Sequence, residues 1–353
     1  MPNPTGIDLL VPGLLGPIPG LEEIDAVPDA PRVERCLSRA DIISIDACDY
    51  TTTLFQLFGL TASESGDHPT APFCRLADGA TKDNGYWLQA APVHLRPDGG
   101  GLLLFDAGEL DLTLEEAKQL ADLIREHFSD RGWWLEVHDP RRWYLRLDVR
   151  PDLQTSALTD VIGRNIDHFL PRGKDAMDWH SILNELQMLL HMAKVNLQRE
   201  GRGQLPINGL WLHGGGSYQS IKQTVYASVS ADEPLVRGMS LASGINPGHF
   251  PQNSAELCLD TGRHLVVFNQ LERSVLNADP YGWIESIERF DKWLEPLLGA
   301  IRSRRVAYID IHPCNSQVYR ITAGALRRFQ IEQDDSSDHC RYYGTDQTAG
   351  MNT

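Results

Sequence analysis

The chain contains 353 residues, of which 42% are hydrophobic and 23% charged, a composition typical of two ordinary domains or one large α/β domain carrying an insertion. Lysine and arginine total 32 against 48 acidic residues, and the net charge of −16 argues against nucleic-acid and membrane partners. The six scattered cysteines include no CxxC pair, which predicts reduced thiols in a cytoplasm rather than a zinc or redox motif.

The N-terminal part of the chain is predicted to alternate short strands with helices. An apolar run at residues 9–21 is broken by prolines and glycines, so it predicts neither a signal peptide nor a membrane span. Residues 61–84 are rich in Ser, Gly, Pro, Asp and Thr, which predicts a loop. The predicted elements are strands at residues 7–11 and 42–45 and helices at residues 32–39 and 50–60.

Residues 86–149 have the pattern of a compact α+β unit. An Asp-Gly-Gly sequence at 98–100 predicts a hairpin turn between two alternating segments. Thr113 and Glu116 have the spacing of a capping box at the start of an amphipathic helix that runs to about residue 128. The predicted strands are at residues 87–96, 101–105, 133–137 and 143–149, and a long helix follows at residues 179–199.

A strand that ends in three glycines follows the long helix, in the sequence LPINGLWLHGGG at residues 205–216. Glycines allow a ligand or another backbone to come close, because no Cβ intervenes. Gly214 and Gly215 therefore predict the floor of a ligand site, and a tight turn is the alternative. His213 lies at the strand end, where open α/β sheets place ligands, although a histidine bonded to a neighbouring carbonyl is the more common arrangement.

The C-terminal part returns to an α/β pattern. Residues 264–269 predict a buried strand, residues 283–301 an amphipathic helix, and residues 305–311 a further strand. Residues 330–353 are polar and are predicted to be disordered.

Several blocks resemble the archaeal-type cofactor-independent phosphoglycerate mutases of the alkaline phosphatase superfamily, among them LTLEEAKQLADLIREHF, VIGRNIDHFLPRGKDAM and IESIERFDKWLEPLL. The blocks WLQAAPVHLRPD, RRWYLRL and LPINGLWLHGGG resemble bacterial RpfE-type regulatory proteins. The resemblance implies an alkaline-phosphatase-like core sheet with helices on both faces and an inserted α+β domain. Residues 91–205 would form the insert, and residues 1–90 and 206–329 the core.

The metal site that this resemblance implies is predicted to be incomplete. The strand at residues 7–11 leads into Pro-Gly-Leu-Leu, where the mutases have a metal-binding aspartate. No histidine follows the strand at residues 264–268, and only residues such as Asp279 are available. Asp310 and His312 remain as candidates for metal binding or acid/base chemistry, with Mn, Zn or Mg as the ion if the site is intact.

The nucleophile that a mutase requires has one candidate region. Thr51 and its two neighbouring threonines lie behind Asp46 and Asp49, in the part of the chain where a nucleophile would be expected. A helix that begins with Asp49 as its N-cap explains the same residues, and we favour that interpretation.

Two pairs of basic residues are candidates for substrate binding. Arg142 and Arg146 fall in the block that matches the substrate-binding segment of the mutases, and guanidinium groups bind phosphate or carboxylate through paired hydrogen bonds. His94 and Arg96 share a strand face in the same way. Solvent-facing residues that offset an acidic surface are the alternative interpretation for the arginines.

Together these observations predict a cytoplasmic, phosphoglycerate-mutase-like protein that has lost much of its two-metal chemistry and binds a small phosphorylated metabolite or acts as a regulator. An active phosphoglycerate mutase or phosphatase with a rearranged metal site is the first alternative. A structural protein whose insert binds a partner chain is the second.

Overall fold

A computed structural model describes residues 4–60, 67–106, 108, 110–222 and 224–328. Contacts divide the chain into two compact units. The first unit comprises Met1–Gly59, Gln223–Glu233 and Ser243–Thr353, and the second comprises Leu60–Lys222 and Pro234–Ala242. The predicted insert at residues 91–205 lies within the second unit, and its boundaries stay a prediction. The tail predicted at residues 330–353 lies outside the described residues.

Each unit contains one β-sheet with helices, which confirms the predicted mixed α/β class. Among the described residues, no helix is both long enough and apolar enough to cross a membrane. The strands are β1 (Gly6–Leu10), β2 (Asp41–Ser44), β3 (Tyr86–Asp98), β4 (Gly101–Asp106), β5 (Trp134–Asp139), β6 (Arg142–Leu147), β7 (Gly209–Ser217), β8 (Tyr226–Ser230), β9 (Arg263–Val267), β10 (Tyr308–His312) and β11 (Gln317–Thr322). The helices are α1 (Pro31–Arg39), α2 (Tyr50–Leu57), α3 (Thr70–Ala77), α4 (Leu114–His127), α5 (Ala176–His191), α6 (Lys194–Gly201), α7 (Pro234–Ala242), α8 (Gln270–Leu276) and α9 (Pro280–Arg302).

The sheet of the first unit has the strand order β2-β11-β10-β1-β9-β8. Strands β8, β9, β1 and β10 run parallel, and β11 is antiparallel to both of its neighbours, β10 and the edge strand β2. Ile7 and Leu9 of β1 are fully buried in an apolar cluster with residues of α1 and α9. Because side chains alternate along a strand, Asp8 points to the opposite face.

Helices α1 and α9 are joined by one buried carboxylate. Asp291 of α9 is 1% exposed and accepts hydrogen bonds from the backbone amides of Arg32 (2.6 Å) and Val33 (2.9 Å) at the start of α1. These amides have no partner within their own helix, so Asp291 takes the role of an N-cap from a distant part of the chain. One face of the sheet is thereby covered by two mutually anchored helices.

The second unit is built around the long strand β3. It pairs with β6 and β4 along one edge and with β7 along the other, and β5 extends the sheet beyond β6. Helices α4 and α5 pack on one face through an apolar cluster that includes Leu88, Leu145 and Leu212. The predicted capping box is confirmed, because Thr113 and Glu116 each bond the backbone amide of the other.

Three local predictions are wrong. The loop predicted at residues 61–84 contains α3, whose Pro, Phe and Cys side chains are buried and whose packing outweighs the polar composition around it. The helix predicted at residues 179–199 is two helices, α5 and α6, separated near residue 193. The three glycines continue β7 rather than ending it, because Gly216 and Ser217 still pair with Trp87 and Tyr86 of β3 after a shift in register.

Candidate functional site

Asp8 is the buried centre of a polar cluster on the open face of the first sheet. Its side chain is fully buried and accepts two hydrogen bonds from Arg263, one of them from Nη2 at 2.7 Å, and a third from Nε2 of His312 at 2.9 Å. Burial alone would raise the pKa of Asp8, but the hydrogen bonds from His312 and Arg263 outweigh it, so the pKa lies below its ordinary value. Asp8 is therefore held as a carboxylate.

A second carboxylate lies beside Asp8 on the neighbouring strand. Asp310 is paired with Asp8 in the register of β1 and β10, and its exposed fraction is only 2%. Arg320 of β11 bonds both oxygens of Asp310, with Nε and Nη2 each 2.7 Å away. The hydrogen bond to Asp310 is the main cause of a raised pKa of Arg320. Two adjacent buried anions are thus each neutralised by an arginine, which removes their mutual repulsion.

The sequence interpretation considered the end of the first strand and missed Asp8 within it. The signal was available, since a single aspartate inside an apolar strand needs a buried partner. Arg263 was missed as well. Its partner lies 255 positions away in the sequence, and only the parallel pairing of β1 and β9 brings the two together.

A cavity of about 330 Å³ adjoins this cluster, and α2 borders it. Arg263 and His312 line the cavity together with Thr53 of α2. Nδ1 of His312 is buried and has no hydrogen-bond partner among the described residues, although the residue is only 5% exposed. The cavity therefore combines a guanidinium, a hydroxyl and an unused imidazole nitrogen, groups that can bind an anion with an attached hydroxyl.

Helix α2 begins as the favoured interpretation predicts. Asp49 is the N-cap, and its carboxylate accepts hydrogen bonds from the backbone amide (2.8 Å) and hydroxyl (2.7 Å) of Thr52. Thr53 donates its hydroxyl hydrogen to the Asp49 carbonyl oxygen at 2.7 Å. Thr51, the predicted nucleophile, lies in the first turn of α2 and is not among the residues that line the cavity.

The residues predicted to hold a metal ion do not form one coordinating group. Asp279 is the N-cap of α9, where its Oδ1 accepts the Gly282 amide hydrogen at 2.9 Å. Among the described residues, no three His, Cys, Asp or Glu side chains are grouped so that they could hold a metal ion. Asp310 and His312 do lie on the same strand face, yet both oxygens of Asp310 are bonded to Arg320. The donors present do not fit the two-metal site that the resemblance implies.

The predicted glycine floor in β7 is contacted by the protein itself. A Cβ atom at Gly214 would lie 1.9 Å from the Thr70 hydroxyl oxygen, and one at Gly215 would lie 2.5 Å from the Tyr86 hydroxyl oxygen. Glycines allow either a ligand or another part of the chain to come close, and the structure shows side chains of this chain beside Gly214 and Gly215. His213, before the glycines, is partly buried, and burial lowers its pKa to about 4. Its predicted role in ligand binding stays a prediction.

The predicted arginine pair on β6 is divided between two environments. Arg142 donates from Nε to Asp78 at 2.9 Å, and the same carboxylate accepts the Tyr144 hydroxyl hydrogen at 2.6 Å. Arg146 lies on the same face of the strand and is exposed. Arg142 is thus ion-paired with Asp78 while about a third of its side chain stays exposed, and Arg146 is the more exposed of the two.

The pair on β3 has similar internal contacts. Nδ1 of His94 lies 2.9 Å from the Pro206 carbonyl oxygen, and the side chain is buried, with an exposed fraction of 8%. The guanidinium of Arg96 lies over the Phe105 ring, 4.6 Å from its centroid. These contacts join β3 to its neighbours in the second unit, and the predicted ligand role of both residues remains untested.

No protein-family model matches this chain. It is similar to archaeal 2,3-bisphosphoglycerate-independent phosphoglycerate mutases, with 25% identity over 239 residues to one from Methanothermobacter thermautotrophicus (59% of this chain, 58% of the relative). The identity to one from Methanosarcina acetivorans is 29% over 172 residues, which is 47% of this chain and 39% of the relative. It is 29% over 93 residues to one from Methanosarcina mazei (25% and 23%). The matches thus span less than two thirds of each relative.

One solved structure shares the fold. The PH0037 protein from Pyrococcus horikoshii superposes with a TM-score of 0.56 at 15% identity, over 90% of this chain and 86% of that one. A cofactor-independent phosphoglycerate mutase from Thermoplasma acidophilum gives a TM-score of 0.47 at 19% identity, over 92% and 90%.

Fold and site together define a mixed α/β protein whose first sheet carries paired, arginine-neutralised carboxylates beside a small cavity. Its sequence is distantly similar to those of the archaeal cofactor-independent phosphoglycerate mutases, which supports a mutase-like protein.

Proposed function

We propose that the protein binds a small phosphorylated metabolite in the cavity of the first unit and acts as a regulatory, RpfE-type relative of the mutases in the cytoplasm. The observation that carries this proposal is the pairing of Asp8 with Arg263 and of Asp310 with Arg320. In both pairs, guanidinium groups take the place that metal ions would take in neutralising the carboxylates.

The energetics of these pairs disfavour a divalent ion at the same carboxylates. A metal that bound Asp8 would have to displace both hydrogen bonds from Arg263, and Asp8 is fully buried. Breaking one partner away from a buried ion pair costs about 3–5 kcal/mol, because a charge is left without compensation. Such a cost would lower metal affinity by about a hundredfold to a few thousandfold, at roughly 1.4 kcal/mol for each factor of ten.

The ligand class follows from the groups around the cavity and from the relatives. Arg263 keeps about a third of its side chain exposed while it holds Asp8, so it is accessible to an anion. Thr53 and His312 supply a hydroxyl and an imidazole nitrogen. The curated relatives are phosphoglycerate mutases, and we therefore propose 3-phosphoglycerate as the first ligand to test.

One observation favours a second candidate, an active phosphoglycerate mutase or phosphatase with a rearranged metal site. Nδ1 of His312 is buried without a partner in the part of the chain that the structure describes, and an imidazole nitrogen is a common metal ligand. It lies on the same strand face as Asp310. Under this candidate, metal binding would require Arg320 to release Asp310.

Calorimetry and a turnover assay with 3-phosphoglycerate separate the two candidates. Protein freed of metal with EDTA is expected to bind 3-phosphoglycerate and to show no turnover when Mn²⁺ or Zn²⁺ is added. Val225→Trp is expected to fill the cavity and abolish this binding, because Val225 lines the cavity and is 57% exposed. Val27→Trp, at a 74% exposed position outside the cavity lining, is the matched control and should bind normally. Mutase-like turnover with added metal would instead establish the second candidate.

A further inference from the structure

A second cavity, of about 530 Å³, lies in the second unit and takes no part in the function proposed above. The irregular segment between β6 and α5 forms most of its wall. Three basic side chains line it, Arg164, His168 and Arg172, together with the hydroxyl-bearing residues Thr155 and Ser156. Two acidic residues, Asp67 and Asp160, line it as well.

The wall of this cavity is held by hydrogen bonds at several points. Gln154 and Arg172 exchange two backbone hydrogen bonds, of 2.7 and 2.9 Å. The amide of Gly163 donates to the carbonyl of Leu104 at 2.9 Å, which fixes the turn before Arg164. The indole of Trp211 donates to the Ser156 carbonyl at 2.9 Å. Because the backbone is anchored in this way, less backbone conformational entropy is lost on binding, although the three basic side chains themselves are exposed.

The two arginines lack carboxylate partners. Neither Arg164 nor Arg172 has a carboxylate within 4.0 Å in the part of the chain that the structure describes. The guanidinium of Arg164 lies 5.9 Å from the Phe169 ring centroid, and Nη2 of Arg172 donates to the His168 carbonyl at 3.0 Å. Arg199 of the same unit, by contrast, is fully buried and ion-paired with Glu116. The cavity arginines therefore keep donors that an anion can use.

An acidic side chain of the same cavity is already satisfied by the protein. Asp67 accepts hydrogen bonds from the backbone amide (2.8 Å) and the hydroxyl (2.7 Å) of Thr155. Burial raises the pKa of Asp67 despite these bonds. Asp160 also lines the cavity. An acidic side chain at the edge of an anion site can accept a hydrogen bond from a ligand hydroxyl.

We propose that this cavity is a separate anion-binding site for a small hydroxylated phosphate or carboxylate compound, with the anionic group held between Arg164 and Arg172. Guanidinium groups bind both phosphate and carboxylate in the same paired geometry, so the two anions share one recognition chemistry. The site is independent of the cavity in the first unit, since all its residues belong to the second.

Calorimetry on the whole chain carrying Val225→Trp tests this site. The substitution is expected to block the cavity of the first unit, so a lack of binding in that cavity cannot be mistaken for a lack of binding at this site. The probes are inorganic phosphate, glycerol 3-phosphate and malate. Arg164→Gln and Arg172→Gln are each expected to weaken binding at least tenfold, since each removes a charge-assisted hydrogen bond. Arg164→Lys keeps the charge and is expected to weaken binding less than Arg164→Gln.

Lys174→Gln is the matched control. Lys174 lies two residues after Arg172, its side chain is 88% exposed, and it pairs with Asp152 at 3.2 Å outside the cavity lining. Lys174→Gln removes one positive charge from the same segment, as Arg172→Gln does. It should change the affinity for the probes by no more than about twofold, because exposed ion pairs contribute little. The site is excluded if none of the three probes binds, or if Arg164→Gln and Arg172→Gln bind as tightly as the protein with both arginines. An equal loss in Lys174→Gln would also exclude it, since binding would then reflect general charge alone. Unchanged thermal midpoints without the probes establish that each variant is folded.

Discussion

Substitution of Asp8 by asparagine tests whether the arginine-neutralised carboxylates stabilise the first unit. Asp8 is fully buried and accepts two hydrogen bonds from Arg263 and one from His312. Loss of a buried ion-pair partner costs about 3–5 kcal/mol. About a third of the Arg263 side chain is exposed, so water solvates the released charge in part, and we expect a loss near the lower limit of this range, about 3 kcal/mol.

Hydrogen exchange of the peptide that contains β1 measures this loss where it occurs. Local opening free energies follow from amide protection, so the result does not depend on how the second unit unfolds. Asp310→Asn is the matched comparison: its carboxylate is also buried and its partner Arg320 is 41% exposed, but Asp8 has an additional hydrogen bond from His312, so Asp310→Asn is expected to cost about 1 kcal/mol less. Replacing the pair together, with Asp8→Leu and Arg263→Met, should recover much of the protection that Asp8→Asn loses.

The same measurement has a pH dependence with a defined sign. The pKa of Asp8 is lowered in the folded protein, so the folded state binds fewer protons than the unfolded state in acid. The stabilisation is present above the unfolded-state pKa of about 3.9 and is lost as the pH falls through the lower folded value. Protection of β1 should therefore decline below about pH 4 in the wild type and much less in Asp8→Asn. Equal protection of the two proteins at pH 7 would refute a stabilising role for this carboxylate.

Three further predictions concern both units. Gly214→Ala should cost several kcal/mol more than Gly59→Ala in denaturation experiments, because both have positive φ, of 63° and 70°, but only Gly214 has another side chain within 2 Å of the added Cβ. Arg199→Met should lower the free energy of unfolding by about 3–5 kcal/mol, and Arg202→Met by less than about 1 kcal/mol. Both arginines bond the same glutamate, but only Arg199 is fully buried. Similar losses in the two variants would show that burial is not the cause. His213 should stay neutral until about pH 4 in an NMR titration, and it should destabilise the fold as the pH falls below about 6.5, where only the unfolded state binds a proton; titration near pH 6.5 would contradict its burial.

Local chemistry made several features predictable from the sequence. The Thr113–Glu116 capping box and the Asp49 N-cap depend on residues three positions apart, so both partners of each interaction can be read from a short stretch of sequence. Strand alternation likewise predicted β3 to β6, and the α/β class followed from the order of strands and helices. The helix α3 was missed because its apolar packing, rather than its surrounding polar residues, stabilises it.

The candidate site depended on the tertiary structure. Asp8 and Arg263 are 255 positions apart, Asp8 and His312 are 304 apart, and only the parallel register of β9, β1 and β10 makes them neighbours. On sequence alone the three glycines of β7 allowed the close approach of a ligand or of another backbone; the structure places the side chains of Thr70 and Tyr86 beside Gly214 and Gly215, and the ligand role of these glycines stays a prediction. Composition and short-range spacing thus determine helix ends, strand pattern and fold class, because the interactions that set them join residues only a few positions apart. The partner of each buried charge is decided by strand order and register, which bring together residues that no local pattern connects.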